Sequence, residues 1–385
     1  MSLRARQLGS ALALALVAAA LVSSDALDVW ERDAFDALAR RAPAAPTSER
    51  VAVVMLDEAS LDWGRALYEH TRARAAPAGL PAHAFLFPWD RAVYDLLIQF
   101  AALGGARVLA LDVELAGPHP SGDVSGDGTL GLSTRLQNEF GTPFVVHACN
   151  LESSAQAQAE VVQLDALQSA VLAGAAVPVA GWQRSGLPFD RSDLGPYSNP
   201  VLPYGDILAP FADAPELLRL GAVTAQPDPD GVIRRARPLV VWREQPLPSL
   251  GGAAALAHLQ SAGASGDGAA SELSVDDGRL VVGARSLPLT PSGDLLLRWR
   301  GGEHERFESW PAHRVLRSAL RALGLPGWEF PGGEPDDYFL DPQVFAGRMV
   351  LLGANAAGLR DLKATLVSAD HPGELVHAEV AEALL

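Results

Sequence analysis

Two short apolar runs separated by a helical pattern constrain the fold most strongly. Residues 51–56 read VAVVML and residues 108–111 read VLAL. Uninterrupted apolar runs of this length are typical of strands that are covered on both faces. Between them, residues 90–103 carry apolar side chains at helical spacing and stop at Gly104. This order predicts a βαβ unit with parallel strands and a right-handed crossover.

The remaining pattern predicts a mixed α/β fold. Two turn-rich segments, residues 227–231 and 276–278, predict β-hairpins. The predicted fold class is therefore α/β, a mixed, largely parallel sheet flanked by helices, with β-hairpin insertions. The other strands are expected at residues 144–147, 220–224, 232–241, 295–299 and 349–352, and the other helices at residues 130–140, 249–259, 311–323 and 375–384.

Composition and net charge exclude several classes of protein. The 385 residues include 30 lysines and arginines against 46 aspartates and glutamates, which gives a formal net charge of −16. Such a charge repels a phosphate backbone, so we expect no nucleic-acid partner. The single cysteine, Cys149, can form neither an internal disulfide bond nor a thiolate zinc or iron–sulfur site.

The N-terminus has the features of a membrane-directed segment. Arg4 and Arg6 precede residues 8–24, which contain no charged side chain, and five acidic residues follow between residues 25 and 36. The uncharged run approaches spanning length, and the charge asymmetry places residues 1–7 in the cytoplasm. We predict a transmembrane signal anchor at residues 8–24 in the cell inner membrane, with a cleaved signal peptide as the alternative.

Two regions follow the anchor. Residues 25–46 are predicted to be a juxtamembrane amphipathic helix and linker, and residues 47–385 one extracytoplasmic domain, periplasmic or extracellular. Four apolar residues of the helix are expected to share one face that contacts the domain or a second copy of the chain, as in a homodimer. They are Leu27, Trp30, Phe35 and Leu38. At Leu385 the apolar helical pattern still runs, which indicates that the natural chain continues.

Polar side chains follow both strands of the predicted βαβ unit. Asp57, Glu58 and Ser60 come after the first strand, and Asp112 and Glu114 after the second. The carboxyl ends of parallel strands share one edge of a sheet, where open α/β folds bind ligands. These five residues form our candidate site for a small molecule or an ion. Two alternatives stay open, a hydrolytic acidic metal site and simple capping of neighbouring helices and loops.

No motif identifies an enzyme or a cofactor. The nine histidines are scattered without the spacing of HExxH or HxH metal sites. The sequence also lacks a GxSxG nucleophile elbow and a phosphate-binding lysine loop. We therefore expect no catalytic residue, no metal site and no cofactor.

An ordered set of short blocks points to a family. The blocks are residues 51–61 (VAVVMLDEASL), 87–91 (FPWDR), 106–113 (ARVLALDV), 228–235 (DPDGVIRR), 295–301 (LLLRWRG), 348–354 (RMVLLGA) with Asp361, and 372–385 (PGELVHAEVAEALL). Together they resemble the second type of CHASE domain, the cyclase- and histidine-kinase-associated sensory extracellular domain. The insertion at residues 65–86 is longer than the family pattern.

The resemblance implies the sensor part of a bacterial transmembrane receptor. Such a sensor relays a stimulus to a cytoplasmic adenylate or guanylate cyclase, or to a protein kinase, outside this chain. It implies no particular ligand, because the shared motifs are mainly structural. The alternatives are an exported hydrolase with an acidic metal site and an architectural ectodomain that dimerises receptors.

The block at residues 228–235 also predicts where its charges point. Gly231 relieves strain in the turn, and Arg234 and Arg235 follow it in a predicted strand. Successive side chains of a strand face opposite ways. We therefore expect at most one of these two arginines to face a carboxylate.

Overall fold

A computed structural model describes residues 26–71, 80–81, 83–120, 125–152, 164–181, 183, 199–223, 225–242, 245–263, 273–299, 306–325, 338–356, 359 and 361–385. Residues 1–7 and the anchor predicted at residues 8–24 lie outside this set. Among the helices that are described, none is long and apolar enough to cross a bilayer.

The elements follow one another in this order. The helices are α1 Ala26–Arg41, α2 Glu58–Thr71, α3 Arg91–Leu103, α4 Ser125–Phe140, α5 Ala166–Ala175, α6 Gly205–Leu208, α7 Leu250–Gly263, α8 Ala312–Ala322 and α9 Gly373–Leu384. The strands are β1 Val51–Leu56, β2 Val108–Leu111, β3 Phe144–Glu152, β4 Val179–Ala180, β5 Asn199–Val201, β6 Arg219–Ala222, β7 Arg235–Ala236, β8 Leu239–Trp242, β9 Gln245–Pro248, β10 Leu273–Asp276, β11 Arg279–Val282, β12 Arg285–Pro288, β13 Leu295–Leu296, β14 Glu308–Pro311, β15 Met349–Ala354, β16 Leu362–Lys363 and β17 His371–Pro372.

The main sheet has the strand order β14, β1, β15, β2, β3, with β6 and β5 both paired to β3. All of these pairs are parallel except that of β3 with β5. The predicted largely parallel α/β fold is confirmed. Strands β1 and β2 are parallel as expected, but β15 lies between them, with Met349 opposite both Val51 and Val108.

Alternate residues of β1 face two hydrophobic cores. Val51 and Val53 point to the face that α7 and α9 cover. Ala52 and Val54 point to the other face, which α2, α3 and α8 cover. All four side chains are buried, as the apolar run predicts.

One predicted hairpin is confirmed and the other is wrong. At residues 276–278, strands β10 and β11 pair antiparallel around Asp277 and Gly278, which both have positive φ, 43° and 68°. This geometry is typical of tight hairpin turns. Residues 227–231 do form a turn, but β6 pairs with β3 and β7 pairs with β13. Its flanking strands therefore belong to different sheets.

Helix α1 is attached to the domain through a buried ion pair. Arg234 donates to both carboxylate oxygens of Asp36 at 2.7 and 2.9 Å, and also contacts Asp228 and Asp230. Arg235 contacts Asp228 as well, at 2.9 Å. The prediction that only one of these arginines faces a carboxylate is wrong, because β7 begins only at Arg235.

The predicted apolar stripe of α1 is divided between two faces. Phe35 packs against the core, whereas Trp30 and Leu38 are 76% and 69% exposed. On a helix, residue 35 lies about 140° around the axis from residue 30 and about 60° from residue 38, so Trp30 and Phe35 point in different directions. The expectation that Leu27, Trp30, Phe35 and Leu38 share one contact face is therefore wrong for the last three residues, and the side chain of Leu27 lies outside the described set.

Candidate functional site

At the end of β1, two of the predicted site residues, Asp57 and Ser60, are hydrogen-bonded to each other. Asp57 accepts hydrogen bonds from the backbone N–H and the hydroxyl of Ser60 at 2.8 and 2.6 Å, in the position of an N-cap for α2. The Ser60 hydroxyl accepts in turn from the backbone N–H of His313, at the start of α8. These contacts tie two helix starts to β1.

Two other predicted residues point to solvent. Glu58 is exposed and lies 3.2 Å from Arg65 on the same helix. Glu114 is exposed and accepts a long hydrogen bond, 3.5 Å, from the amide of Asn150. Strand β15 lies between β1 and β2. The polar residues that follow β1 and those that follow β2 are therefore about 10 Å apart, the width of two strand spacings.

Asp112 lies instead in a cluster of charged side chains at the carboxyl edge of β2 and β15. The other members come from the last 25 residues of the chain. The acidic cluster consists of Asp112, Asp361, Lys363, Glu374 and His377. Nε2 of His377 lies 3.8 Å from Oδ2 of Asp112, and Nζ of Lys363 lies 2.9 Å from Oδ1 of Asp361. The loop after β15 and the start of α9 thus bring these groups to Asp112.

Glu374 is the most deeply buried member of the acidic cluster. It is the second residue of α9, its exposed fraction is 0%, and neither carboxylate oxygen has a hydrogen-bond partner among the described residues. Gly353 of β15 allows this approach, since a Cβ there would lie 2.3 Å from Cβ of Glu374. A charged carboxylate in such a place loses its hydration without compensation.

The electrostatics of the cluster follow from this burial. Burial raises the pKa of Glu374 to about 8, and the charges of Asp112 and Asp361 add to the shift. Burial, and then the charge of Asp361, raise the pKa of Asp112 to about 7, although Lys363 opposes the shift. Burial and Lys363 lower the pKa of His377 to about 4, so its imidazole is neutral at pH 7.

This arrangement can change its charge near neutral pH. Below pH 7 both Glu374 and Asp112 hold protons, and above pH 8 both are carboxylates beside Asp361. Because Asp112 and Asp361 both act on Glu374, ionisation of one carboxyl group favours the protonated form of its neighbour.

Sequence reasoning found only one member of this cluster. Asp112 was visible because it ends a predicted strand. Glu374 and Asp361 lie in loops and helix starts whose position depends on β15. The signal that could have revealed Glu374 is an acidic residue directly after Pro372 and Gly373, at the start of an otherwise apolar helix.

Comparison with known protein families agrees with this architecture. The family model for the CHASE2 domain matches residues 12–385, nearly the whole chain. The chain therefore belongs to the CHASE2 domain family, whose members are sensory extracellular domains and not catalytic ones. No curated protein and no solved structure gives a significant match.

Proposed function

We propose that this chain is the extracytoplasmic sensor of a transmembrane receptor. Its output would be a cytoplasmic adenylate or guanylate cyclase, or a protein kinase, in another part of the protein. Membership of a sensory extracellular family supports the sensor role. The charge asymmetry around residues 8–24 supports a single N-terminal span in the inner membrane, with residues 47–385 outside.

The stimulus acts, in this proposal, by changing the charge of the acidic cluster. The observation that carries it is the Glu374 carboxyl group, buried and without a partner in the described part of the chain. Of the five candidates taken from the sequence, Asp112 belongs to this site. Asp57 and Ser60 serve as caps, and Glu58 and Glu114 are surface residues.

Helix α9 offers a route from the cluster to the N-terminal side of the domain. Glu374 lies at its start, and Glu382 lies eight residues later, about 12 Å along the helix axis. Glu382 accepts hydrogen bonds from Ser48 at 2.7 Å and from Arg50 at 2.5 Å. These two residues belong to the linker between α1 and β1. A displacement of α9 thus acts directly on the segment that leads back to α1.

The exposed face of α1 favours a homodimer. Trp30 and Leu38 are large apolar side chains that the rest of the described chain leaves exposed. An apolar stripe of this kind is a liability unless another surface covers it. We place helix α1 of a second chain on this face. The segments between α1 and β1 of the two chains would then lie close together.

A topology experiment tests the membrane part of the proposal. Alkaline phosphatase and a fluorescent protein that folds only in the cytoplasm would be fused in turn after Pro46. We expect phosphatase activity and no fluorescence, and mass spectrometry of the membrane fraction should recover residues 8–24. Fluorescence, or loss of those residues, would contradict the anchored arrangement.

A signalling experiment tests the acidic cluster in the intact receptor. Output activity would be measured in membranes between pH 5.5 and 8.5 for the wild type, Glu374→Gln and the surface control Glu58→Gln. We expect a pH-dependent output in the wild type and the control, and a profile in Glu374→Gln that loses the change near pH 8 and keeps only the change near pH 7 that Asp112 causes. An unchanged profile in Glu374→Gln would place detection elsewhere.

A further inference from the structure

A second group of polar side chains lies on the opposite face of the sheet from α9. His83 comes from the segment before α3, Asp90 is the residue before α3, and His119 lies in the loop after β2. One ligand-type atom of each residue lies within 4.8 Å of those of the other two. Helix α3 contributes to the core opposite that of α9, so this group is separate from the acidic cluster.

Backbone contacts hold two of these side chains in place. Nε2 of His119 lies 2.7 Å from the carbonyl oxygen of Pro88. A carbonyl can only accept, so Nε2 of His119 donates this hydrogen bond. Metal-binding histidines commonly have this second contact to a carbonyl. Asp90 accepts from the backbone N–H of Ala92 at 2.9 Å, and its carboxylate presses against Gly126, where a Cβ would lie 2.1 Å from Oδ1.

The same region contains buried polar atoms without hydrogen bonds. Nε2 of His83 has no hydrogen-bond partner among the described residues. The carboxylate of Asp127 has an exposed fraction of 0% and likewise accepts no hydrogen bond in the described chain. Arg91 forms an ion pair with it, with Nε 3.3 Å from Oδ1. The charge of Asp90 also acts on Asp127, so the two carboxylates repel each other in this region.

We propose that His83, Asp90 and His119 bind a divalent transition-metal ion of the zinc type. Two imidazoles and one carboxylate are a donor set that such ions prefer. Three protein ligands leave one coordination position for water or for a small ligand from outside. A cation bound to Asp90 also offsets the repulsion between Asp90 and Asp127. The site joins the segment before α3 to the loop after β2.

Zn²⁺ binding to the full chain tests this assignment. After treatment with a chelator, we expect uptake of Zn²⁺ that His83→Ala and His119→Ala each weaken more than tenfold, since even outer-shell partners of metal ligands contribute about 10–100-fold. Asp90→Asn should weaken binding while it preserves the helix cap, because Asn caps as well as Asp. Co²⁺ should give visible absorption bands in the wild type that the variants lose.

Two matched controls separate this site from other sources of binding. His70→Ala removes an exposed histidine on α2, and Glu58→Gln removes an exposed carboxylate on the same helix; both should bind Zn²⁺ as the wild type does. Circular dichroism would check the folding of each metal-free variant. If His119→Ala does not fold, the Zn²⁺ affinities of His83→Ala and Asp90→Asn still test whether these residues bind the ion. Wild-type Zn²⁺ affinity in the folded variants of His83, Asp90 and His119, or no Zn²⁺ uptake by the wild type, would overturn the proposal.

Discussion

Replacing Glu374 with glutamine should change how the stability of the domain depends on pH. Glu374 is fully buried, and its pKa rises from 4.5 to about 8 on folding. Between these two values the folded chain holds a proton that the unfolded chain has released. The contribution of this group to stability is therefore complete below pH 4.5 and is lost as the pH rises through about 8.

The size of the effect follows from the same two values. One proton difference gives a slope of about −1.4 kcal/mol per pH unit in the free energy of unfolding. The interval from 4.5 to about 8 spans roughly three and a half pH units, so ionised Glu374 costs about 5 kcal/mol above pH 8. Glutamine has no such proton. Its unpaired amide costs about 1–3 kcal/mol at every pH, which shifts the curve without changing its slope.

Urea unfolding of the purified chain at intervals between pH 5.5 and 8.5 measures this slope. Other groups with shifted pKa values contribute equally to both proteins and cancel in the difference; they are Asp112 and Glu379, raised to about 7, and His147, His258 and His377, lowered to about 4. We expect the pH slope of the free energy of unfolding to be less steep in Glu374→Gln by about 1.4 kcal/mol per pH unit, which corresponds to about one proton. The surface control Glu58→Gln should keep the slope of the wild type. Parallel curves for the wild type and Glu374→Gln would refute the reasoning.

Three further experiments test other parts of the structure. Asp57→Ala removes a helix cap and should lower stability by about 1 kcal/mol, measured by thermal melting, without altering receptor output. Arg234→Met leaves its three carboxylate partners without their buried cation and should cost about 3–5 kcal/mol in urea unfolding; a loss below 1 kcal/mol would contradict its role in holding α1. Single cysteines at Trp30 and Leu38 should form disulfide-linked dimers in membranes, whereas Phe35→Cys should not, and equal crosslinking at all three would disprove the proposed face.

The sequence predicts local elements well because their signals are local. The apolar runs of β1, β2 and β15 identify buried strands without any knowledge of their partners. The hairpin at Asp277 and Gly278 is visible for the same reason, since the turn residues stand between the two strands. Helix α2 is absent from the prediction, because its apolar face is short and the polar residues after β1 read as a loop.

Features that depend on distant pairing are not predictable in this way. The neighbours of β1 come from residues 308–311 and 349–354, and nothing near β1 indicates them. The wrong hairpin at residues 227–231 has the same origin, because β6 and β7 each prefer a distant partner. The burial of Glu374 depends on Gly353, and His83 meets His119 only once α3 packs on the sheet. Both proposed sites are therefore products of tertiary structure.

The position of β15 between β1 and β2 determines the order in which this domain can assemble. During synthesis, β1 emerges more than 250 residues before either of its partners, β14 and β15. Until the last tenth of the chain follows, β1 and β2 have exposed edges and no complete sheet exists. Long-range closure of this kind slows folding and keeps partial chains open. In the extracytoplasmic placement proposed above, this order would keep the chain unfolded until β15 has crossed the membrane.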